Sequence, residues 1–297
     1  MTRRSGFVAI LGAPNAGKST LLNTLVGGKV SIVTPKVQTT RMRVIGIAIE
    51  GETQIAFVDT PGIVAPKRRL ERAMVEAAWG GARDADLVVV VVDAKRGPDD
   101  DTRRILEGLD RQRRKSILVL NKIDVVRREA LLPLAAELDA TGRFTDILML
   151  SALTGDGVAD LRRLLAARLP EGPWLYPPDQ LSAMPLRLLA AEITREKLFL
   201  KLEQELPYSL TVASEGWQER ADGSVRIDQI VYVLRESHKP IVLGKGGARI
   251  KAVGSAAREE LEALLDRRVH LFLRVKVRPR WIDEPERYRD LGLDFPR

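Results

Sequence analysis

Phe7-Val8-Ala9-Ile10-Leu11-Gly12-Ala13-Pro14-Asn15-Ala16-Gly17-Lys18-Ser19 starts as an unbroken apolar run, turns glycine-rich, and ends on a lysine and a hydroxyl. Five apolar residues in a row that lead into a glycine turn predict a strand buried on both faces. Helical spacing over Leu21–Val26 predicts a helix directly after it. Gly12-x4-Gly17-Lys18-Ser19 therefore sits in a strand–loop–helix context, where the pattern predicts a phosphate cradle. The glycines let backbone N–H groups turn inward, the helix adds its positive end, and Lys18 supplies a cation to terminal phosphates. The expected contacts are Gly12, Asn15, Ala16, Gly17, Lys18, Ser19 and Thr20, with Ser19 also a magnesium ligand. A simple glycine-rich turn is the plainer alternative, and the context disfavours it. Arg3 and Arg4 before the run superficially resemble the start of a signal peptide, but the apolar stretch is too short for one.

Moving outward, further apolar runs at Arg43–Ile49, Gln54–Asp59, Leu87–Asp93, Ser116–Asn121 and Ile147–Ser151 predict strands. They alternate with helix-like stretches at Leu70–Arg83, Thr102–Arg113, Glu129–Leu138 and Val158–Leu169. Such alternation predicts a doubly wound, mostly parallel sheet covered on both faces, an α/β domain over residues 1–173. Pro170-Glu171-Gly172-Pro173-Trp174-Leu175-Tyr176-Pro177-Pro178 stops any helix, so residues 174–184 read as a proline-rich linker. Residues 185–297 change pattern to α+β: a helix through Leu186–Leu198, β-rich runs at Leu206–Val212 and Val225–Leu234, a glycine-rich loop, a helix near Ala248–Asp266, and a strand at Val269–Val277.

The chain has 297 residues, enough for two cores, and 45% of them are apolar and 30% charged, the balance of a folded globular protein. The absence of cysteine removes disulfides, zinc ribbons, iron–sulfur sites and thiol catalysis, and fits a reducing cytoplasm. Two histidines, His238 and His270, exclude a histidine-rich metal site. Chemistry must come from backbone, lysine, hydroxyl and carboxylate groups. Leu87–Val92, the most hydrophobic stretch, is far shorter than the roughly 20 residues of a membrane helix.

Three more motifs follow the phosphate cradle. Asp59-Thr60-Pro61-Gly62 ends one predicted strand, which sets Asp59 near the magnesium and the Gly62 N–H near a γ-phosphate. Asn121-Lys122-Ile123-Asp124 and Ser151-Ala152-Leu153 end two others, at the carboxyl edge where ligands bind in doubly wound folds. Together the four motifs resemble those of guanine-nucleotide-binding proteins with a phosphate-binding loop. The resemblance implies that Asp124 accepts two hydrogen bonds from guanine, which adenine cannot donate, that the Lys122 stem lies along the base, that Asn121 ties the site together, and that the Ala152 N–H reaches the guanine O6, with Ser151 and Leu153 beside it. Gln38-Thr39-Thr40-Arg41 resembles the switch segment of related GTPases, which implies that Thr40, or its neighbour Thr39, ligates magnesium in the GTP state alone. Lys18, Thr40 and Gly62 are then the expected catalytic groups. Ras-like proteins carry a water-orienting glutamine where this chain has Ile63, so intrinsic GTP turnover is expected to be slow. Resemblance also implies that Asn15 helps to bind a potassium ion.

Gly244-Lys245-Gly246-Gly247 carries the Gly-x-x-Gly signature of a KH domain, here of type II, followed by an amphipathic helix and flanked by Arg249 and Lys251. Glycines there let an RNA backbone approach, so Gly244, Lys245, Gly246, Gly247, Arg249 and Lys251 are the expected RNA contacts. The combination resembles the Era family of bacterial GTPases over essentially the whole length, with Arg195-Glu196-Lys197, Glu205-Leu206-Pro207-Tyr208-Ser209 and Val275-Lys276-Val277 leading to Trp281 as further matches. Trp281 by itself reads as a packing residue. The resemblance implies a GTP/GDP and magnesium switch that binds 16S ribosomal RNA near its 3′ end and acts in small-subunit (30S) assembly. It further implies a monomer, no DNA partner, a cytoplasmic location and some peripheral association with the inner face of the cell membrane, for which the sequence holds no amphipathic anchor. The weighed alternatives are a GTPase that assists transfer-RNA modification, for which no second chemical motif is present, and a constitutive RNA-binding protein with a structural nucleotide site.

Net charge misleads on the RNA half. Residues 1–173 hold 27 basic and 21 acidic residues, against 21 and 19 in residues 174–297. Patterning corrects this: Arg235, Lys239, Lys245, Arg249, Lys251 and Arg258 meet only Glu236 within their span, and Arg267–Arg280 contains no acid.

Overall fold

A computed structural model describes residues 2–66 and 68–296. Two compact units form, one of Met1–Ser31, Val37–Ala183 and Tyr288–Arg297, the other of Ile32–Lys36 and Met184–Arg287.

The first unit is a six-stranded sheet with strand order β2-β3-β1-β4-β5-β6. Its strands are β1 (Arg4–Gly12), β2 (Val44–Glu50), β3 (Thr53–Asp59), β4 (Leu87–Asp93), β5 (Ser116–Asn121) and β6 (Phe144–Leu150). Pairing is parallel throughout except between β2 and β3. Helices α1 (Lys18–Val26), α2 (Arg69–Asp84), α3 (Asp100–Arg111), α4 (Arg128–Asp139) and α5 (Val158–Arg168) connect them. Burial explains the unbroken apolar runs: Val8–Leu11 of β1 and Val88–Val92 of β4 are all at most 2% exposed, so both faces of each strand need apolar side chains. Local signals set the helix ends. The Asp99 side chain accepts the Thr102 N–H at 2.8 Å to cap α3, and α1 stops at Gly27, whose φ of 77° lets its N–H return to the Asn23 carbonyl.

β1 lies between β3 and β4, and the order reverses there, so the carboxyl end of β1 opens a crevice of the type in which doubly wound folds bind ligands. The proline-rich segment at residues 174–183 packs within this unit along β2. Gln54 fixes it, its Oε1 accepting the N–H groups of Leu175 and Tyr176 and its Nε2 donating to the Tyr176 carbonyl. Ile47 donates to Leu181, and a bridge joins Gly46 to Ser182, so the open edge of β2 is covered.

The second unit runs α6 (Leu186–Lys201), β7 (Leu210–Glu219), β8 (Val225–Val233), α7 (His238–Leu243), α8 (Ala248–Leu265) and β9 (Val269–Val277). β7 pairs antiparallel and β9 parallel to β8. This αββααβ order gives the type II KH arrangement. Leu189, Ala190 and Ile193 of α6 and Ala257 and Leu261 of α8 share a core with Val225, Ile227 and Val269 of the sheet. One ion pair ties the two helices, Lys197 of α6 to Glu260 of α8, while within α6 Lys197 also pairs with Glu196 and the buried Arg195 with Glu192 one turn away. A last short helix, α9 (Pro285–Asp290), follows Trp281, which is 1% exposed and acts as a packing residue. Among the described residues, no helix is long and apolar enough to cross a membrane.

Candidate functional site: strand-end nucleotide pocket and glycine-loop groove

Every predicted nucleotide motif falls at the carboxyl end of a strand of the first sheet: Gly12 ends β1, Asp59 β3, Asn121 β5, and Ser151 follows β6. Between β1 and α1 the chain turns on Asn15 and Gly17, both left-handed, with φ of 63° and 98°. Gly17 also passes so close to Asn121 that an added Cβ would stand 2.2 Å from its Nδ2, so no larger residue fits. Lys18 folds back over the loop, its Nζ donating to the carbonyls of Gly12 and Ala13 at 3.0 Å each.

Hard oxygen donors converge on Asp59, which is fully buried. Its Oδ2 accepts the Ser19 hydroxyl at 2.7 Å and the Ser31 hydroxyl at 3.1 Å, and lies 3.5 Å from Thr40 Oγ1, which is itself 2.9 Å from Ser19 Oγ. Asp59 Oδ1 is buried with no hydrogen-bond partner. An orphaned buried carboxylate oxygen among hydroxyls fits a magnesium ion, which prefers oxygen ligands and keeps some of its water. Thr40 lies in this cluster and is buried, whereas Thr39 is half-buried. Burial raises the Asp59 carboxyl pKa, against the pull of Lys18 and the three hydroxyls, and burial lowers Lys18 to about 8 despite the Asp59 charge. Both shifts mark charges removed from water that a phosphate and a divalent cation would compensate. Gly62 runs against the phosphate loop, where an added Cβ would meet Pro14 at 3.1 Å. Ile63 is 3% exposed and belongs to the core with Leu11 and Ile105.

At the base end, Asn121 joins two loops: its Nδ2 donates to the Ala16 carbonyl at 2.8 Å, and its Oδ1 accepts the Ala152 N–H at 2.9 Å. The Ala152 N–H, expected on the guanine O6, is directed at Asn121 in this structure. Lys122, left-handed at φ 70°, donates to the Asn15 carbonyl and pairs with Asp93, both at 2.7 Å. Asp124 and Leu153 are exposed beside it, and Ser151 is buried with its hydroxyl accepting the Thr154 N–H. Three positions are absent from the sequence motifs: Asp93, which holds Lys122, Ser31, which reaches Asp59, and Thr24, whose hydroxyl fixes the Ala152 carbonyl at 2.7 Å. Asp93 carried a signal, since it ends the apolar run of β4, and the pairing of β4 with β5 sets it directly opposite Asn121.

In the second unit, Gly244 needs to be glycine twice over: its φ is 73°, and an added Cβ would lie 2.7 Å from Arg249 Cβ. Lys245, Gly246 and Lys251 are exposed, Gly247 is the N-cap of α8, and Arg249 is half-buried and braces the loop by donating to the Ile241 carbonyl. Beside the loop, a groove of about 340 Å³ runs between α8 and β9, lined by Ile250, Lys251, Gly254, Ser255, Arg258, Leu271 and Leu273. It combines an apolar floor with two cations at its rim, as stacked bases and phosphates require. Gly254, Ser255, Leu271 and Leu273 were not foreseen, because only the packing of β9 on α8 brings them together.

Residues 7–122 match the family described as 50S ribosome-binding GTPase, and residues 205–282 match the KH domain. The chain is 61% identical to GTPase Era of Dinoroseobacter shibae, covering 98% of this chain and 96% of that protein. It is 60% identical to GTPase Era of Rhizobium meliloti, covering 99% and 94%. Among solved structures, a variant of Aquifex aeolicus Era bound to GDP·AlF4⁻ aligns with a TM-score of 0.92 at 42% identity, covering 97% of this chain and 99% of the other. Era in complex with MgGDPNP and nucleotides 1506–1542 of 16S ribosomal RNA aligns with the same TM-score and identity, covering 98% and 99%. With both domains and their order matched over nearly its full length, the chain belongs to the Era family of GTPases.

Proposed function

We propose that this GTPase is a nucleotide-controlled RNA-binding switch, which engages 16S ribosomal RNA near its 3′ end and acts in assembly of the small ribosomal subunit. The observation that carries this reading is the match, over 98% of the chain, to Era in complex with MgGDPNP and a 16S ribosomal RNA segment. The Gly244–Gly247 loop and its groove, with Lys245, Arg249 and Lys251, support the RNA half of the reading.

In this reading the phosphates lie on the N–H groups of Asn15–Thr20, and Lys18 neutralises the terminal charge. Magnesium, when bound, supplies a second neutralising charge to the terminal phosphates. Ser19, Thr40 and Asp59 hold it, and the Gly62 N–H senses the γ-phosphate. Asn121, Lys122, Asp124, Ser151, Ala152 and Leu153 receive the guanine, whose N1–H and amine both pair with the Asp124 carboxylate. Hydrolysis relies on positioning and charge, because Ile63 sits in the core and cannot orient water. Asn15 is proposed to recruit potassium as an additional charge at the phosphates.

Crosslinking of full-length protein to a 16S 3′-end RNA, in the presence of GDP or a GTP analogue, tests the reading. Crosslinks should map to Gly244–Lys251 and the α8–β9 groove and be stronger with the analogue. Crosslinks elsewhere, or the same in both states, would overturn it.

A further inference from the structure

Glu71 uses its two carboxylate oxygens on two different segments. Oε1 accepts the side-chain amide of Gln38 at 3.1 Å, and Oε2 accepts the backbone N–H of Arg68 at 3.0 Å. Gln38 lies two residues before Thr40 and is held in the left-handed region at φ 55°. Arg68 precedes α2, the helix entered from Asp59-Thr60-Pro61-Gly62. One side chain therefore links the loop that carries the Thr40 hydroxyl to the start of the helix that follows Gly62.

Capping explains only half of this. An acidic residue in the first turn that reaches back to the preceding N–H is a common helix start, and it needs nothing from Gln38. The Gln38 contact adds a partner from a loop 33 positions earlier in the chain. The left-handed backbone at a non-glycine residue costs energy that such a contact offsets.

We propose that Glu71 is a positioning residue that latches the Thr40 loop to the start of the helix that follows Gly62, so that the loop and the helix start close on the γ-phosphate together. The inference rests on the reading of Thr40 as a ligand engaged only in the GTP state. With the latch, a γ-phosphate that draws in either segment draws in the other. Without it, each segment closes alone, and both the preference for GTP and the rate of hydrolysis fall. GDP binding, which uses neither segment, is unaffected.

A charge exchange tests the latch in the full-length protein. The readouts are the ratio of GTP-analogue to GDP affinity and the single-turnover hydrolysis rate. Gln38→Ala removes the contact and leaves the helix cap intact. It should lower both readouts by about tenfold, the low end for one hydrogen bond to a charged group. Gln38→Glu sets two carboxylates against each other and should lower them further. Glu71→Gln can still accept from Arg68 with its oxygen while its amide donates to a reoriented Gln38, so it should be near wild type. Gln38→Glu combined with Glu71→Gln restores a donor opposite an acceptor and should recover most of the loss. Wild-type ratios in both Gln38 variants, or no recovery in the double variant, would overturn the latch and leave Glu71 as a helix cap. Thr40→Ala, run in parallel, separates the two readings: an unchanged ratio there removes the Thr40 assignment itself.

Discussion

The Lys122 ammonium lies 2.7 Å from Asp93 Oδ2, joining the ends of β5 and β4 next to the phosphate loop. The pair is shielded unequally, Asp93 being 10% exposed at its side chain and Lys122 34%. Lys122 at the same time donates to the Asn15 carbonyl, so Asp93 fixes the lysine that fixes the loop. Asp93 is not part of any nucleotide motif, and it positions one that is.

Asp93→Ala should therefore weaken GDP and GTP alike, by about three- to tenfold, since a partly exposed ion pair contributes on the order of 1 kcal/mol. Nucleotide titration calorimetry reads this directly. A variant that binds both nucleotides as tightly as wild type would show that the Asn15 carbonyl alone suffices to hold Lys122.

The two units should fail separately. Lys18→Ala removes the cation from the terminal phosphates and should abolish nucleotide binding while circular dichroism shows the second unit still folded. Gly246→Asp should do the reverse. Gly246 has φ 59° and open space around its Cβ position, so aspartate folds there at modest strain but sets a negative charge where RNA phosphate should lie. RNA affinity should drop by at least tenfold with intrinsic GTP hydrolysis unchanged. An unfolded second unit in Lys18→Ala, or loss of GTP hydrolysis in Gly246→Asp, would contradict the division of labour.

How much of this was legible in the sequence follows from burial. β1, β3, β4 and β5 read cleanly because a strand covered on both faces must be apolar throughout, and its end is marked where the first functional residue interrupts the run. β6 was placed too late, from Ile147 rather than Phe144, because Thr145 and Asp146 break the apolar run where the strand pairs irregularly with Ser116. α7 was unseen: six residues with Pro240 in the first turn are too few to show a helical period. The proline-rich stretch read correctly as non-helical, yet its docking on β2 depends on Gln54, more than a hundred residues earlier. Ser31 and the groove residues Gly254 and Leu273 escaped for the same reason: nothing local distinguishes them, and only tertiary packing gives them partners.

Potassium dependence addresses Asn15. In saturating magnesium, GTP hydrolysis should be faster in potassium than in sodium chloride at equal ionic strength, and Asn15→Ala should lose the difference. Equal rates in the two salts, or a response that survives the substitution, would remove Asn15 from the reaction.

His238, at the start of α7, makes the second unit sensitive to acid. Partial burial, assisted by the Arg235 charge, holds its imidazole below the ordinary value of 6.5. The unfolded chain then takes up a proton near pH 6.5 that the folded chain resists. The contribution of neutral His238 is thus complete above that pH and is lost as the pH falls below it. Thermal melts at pH 7 and pH 5 should show a smaller decrease for His238→Gln than for wild type. Parallel decreases would mean that the histidine titrates alike in both states.

The groove itself can be tested without touching the loop. Gly254 lies on α8 facing β9, and a Cβ there would stand 3.5 Å from Leu273 Cδ1, an ordinary contact distance. Gly254→Leu should therefore project a large side chain into a space of about 340 Å³. Replacing a helical glycine by leucine favours the helix by up to about 1 kcal/mol, so the second unit should melt no lower than in the wild type. RNA affinity should nevertheless fall by tenfold or more, because bases can no longer lie between α8 and β9 while the Gly244–Gly247 loop is unchanged. Unchanged affinity would move the bases out of the groove and leave the loop and its cations as the whole RNA site; a lowered melting temperature would show that the side chain had been forced into the core instead.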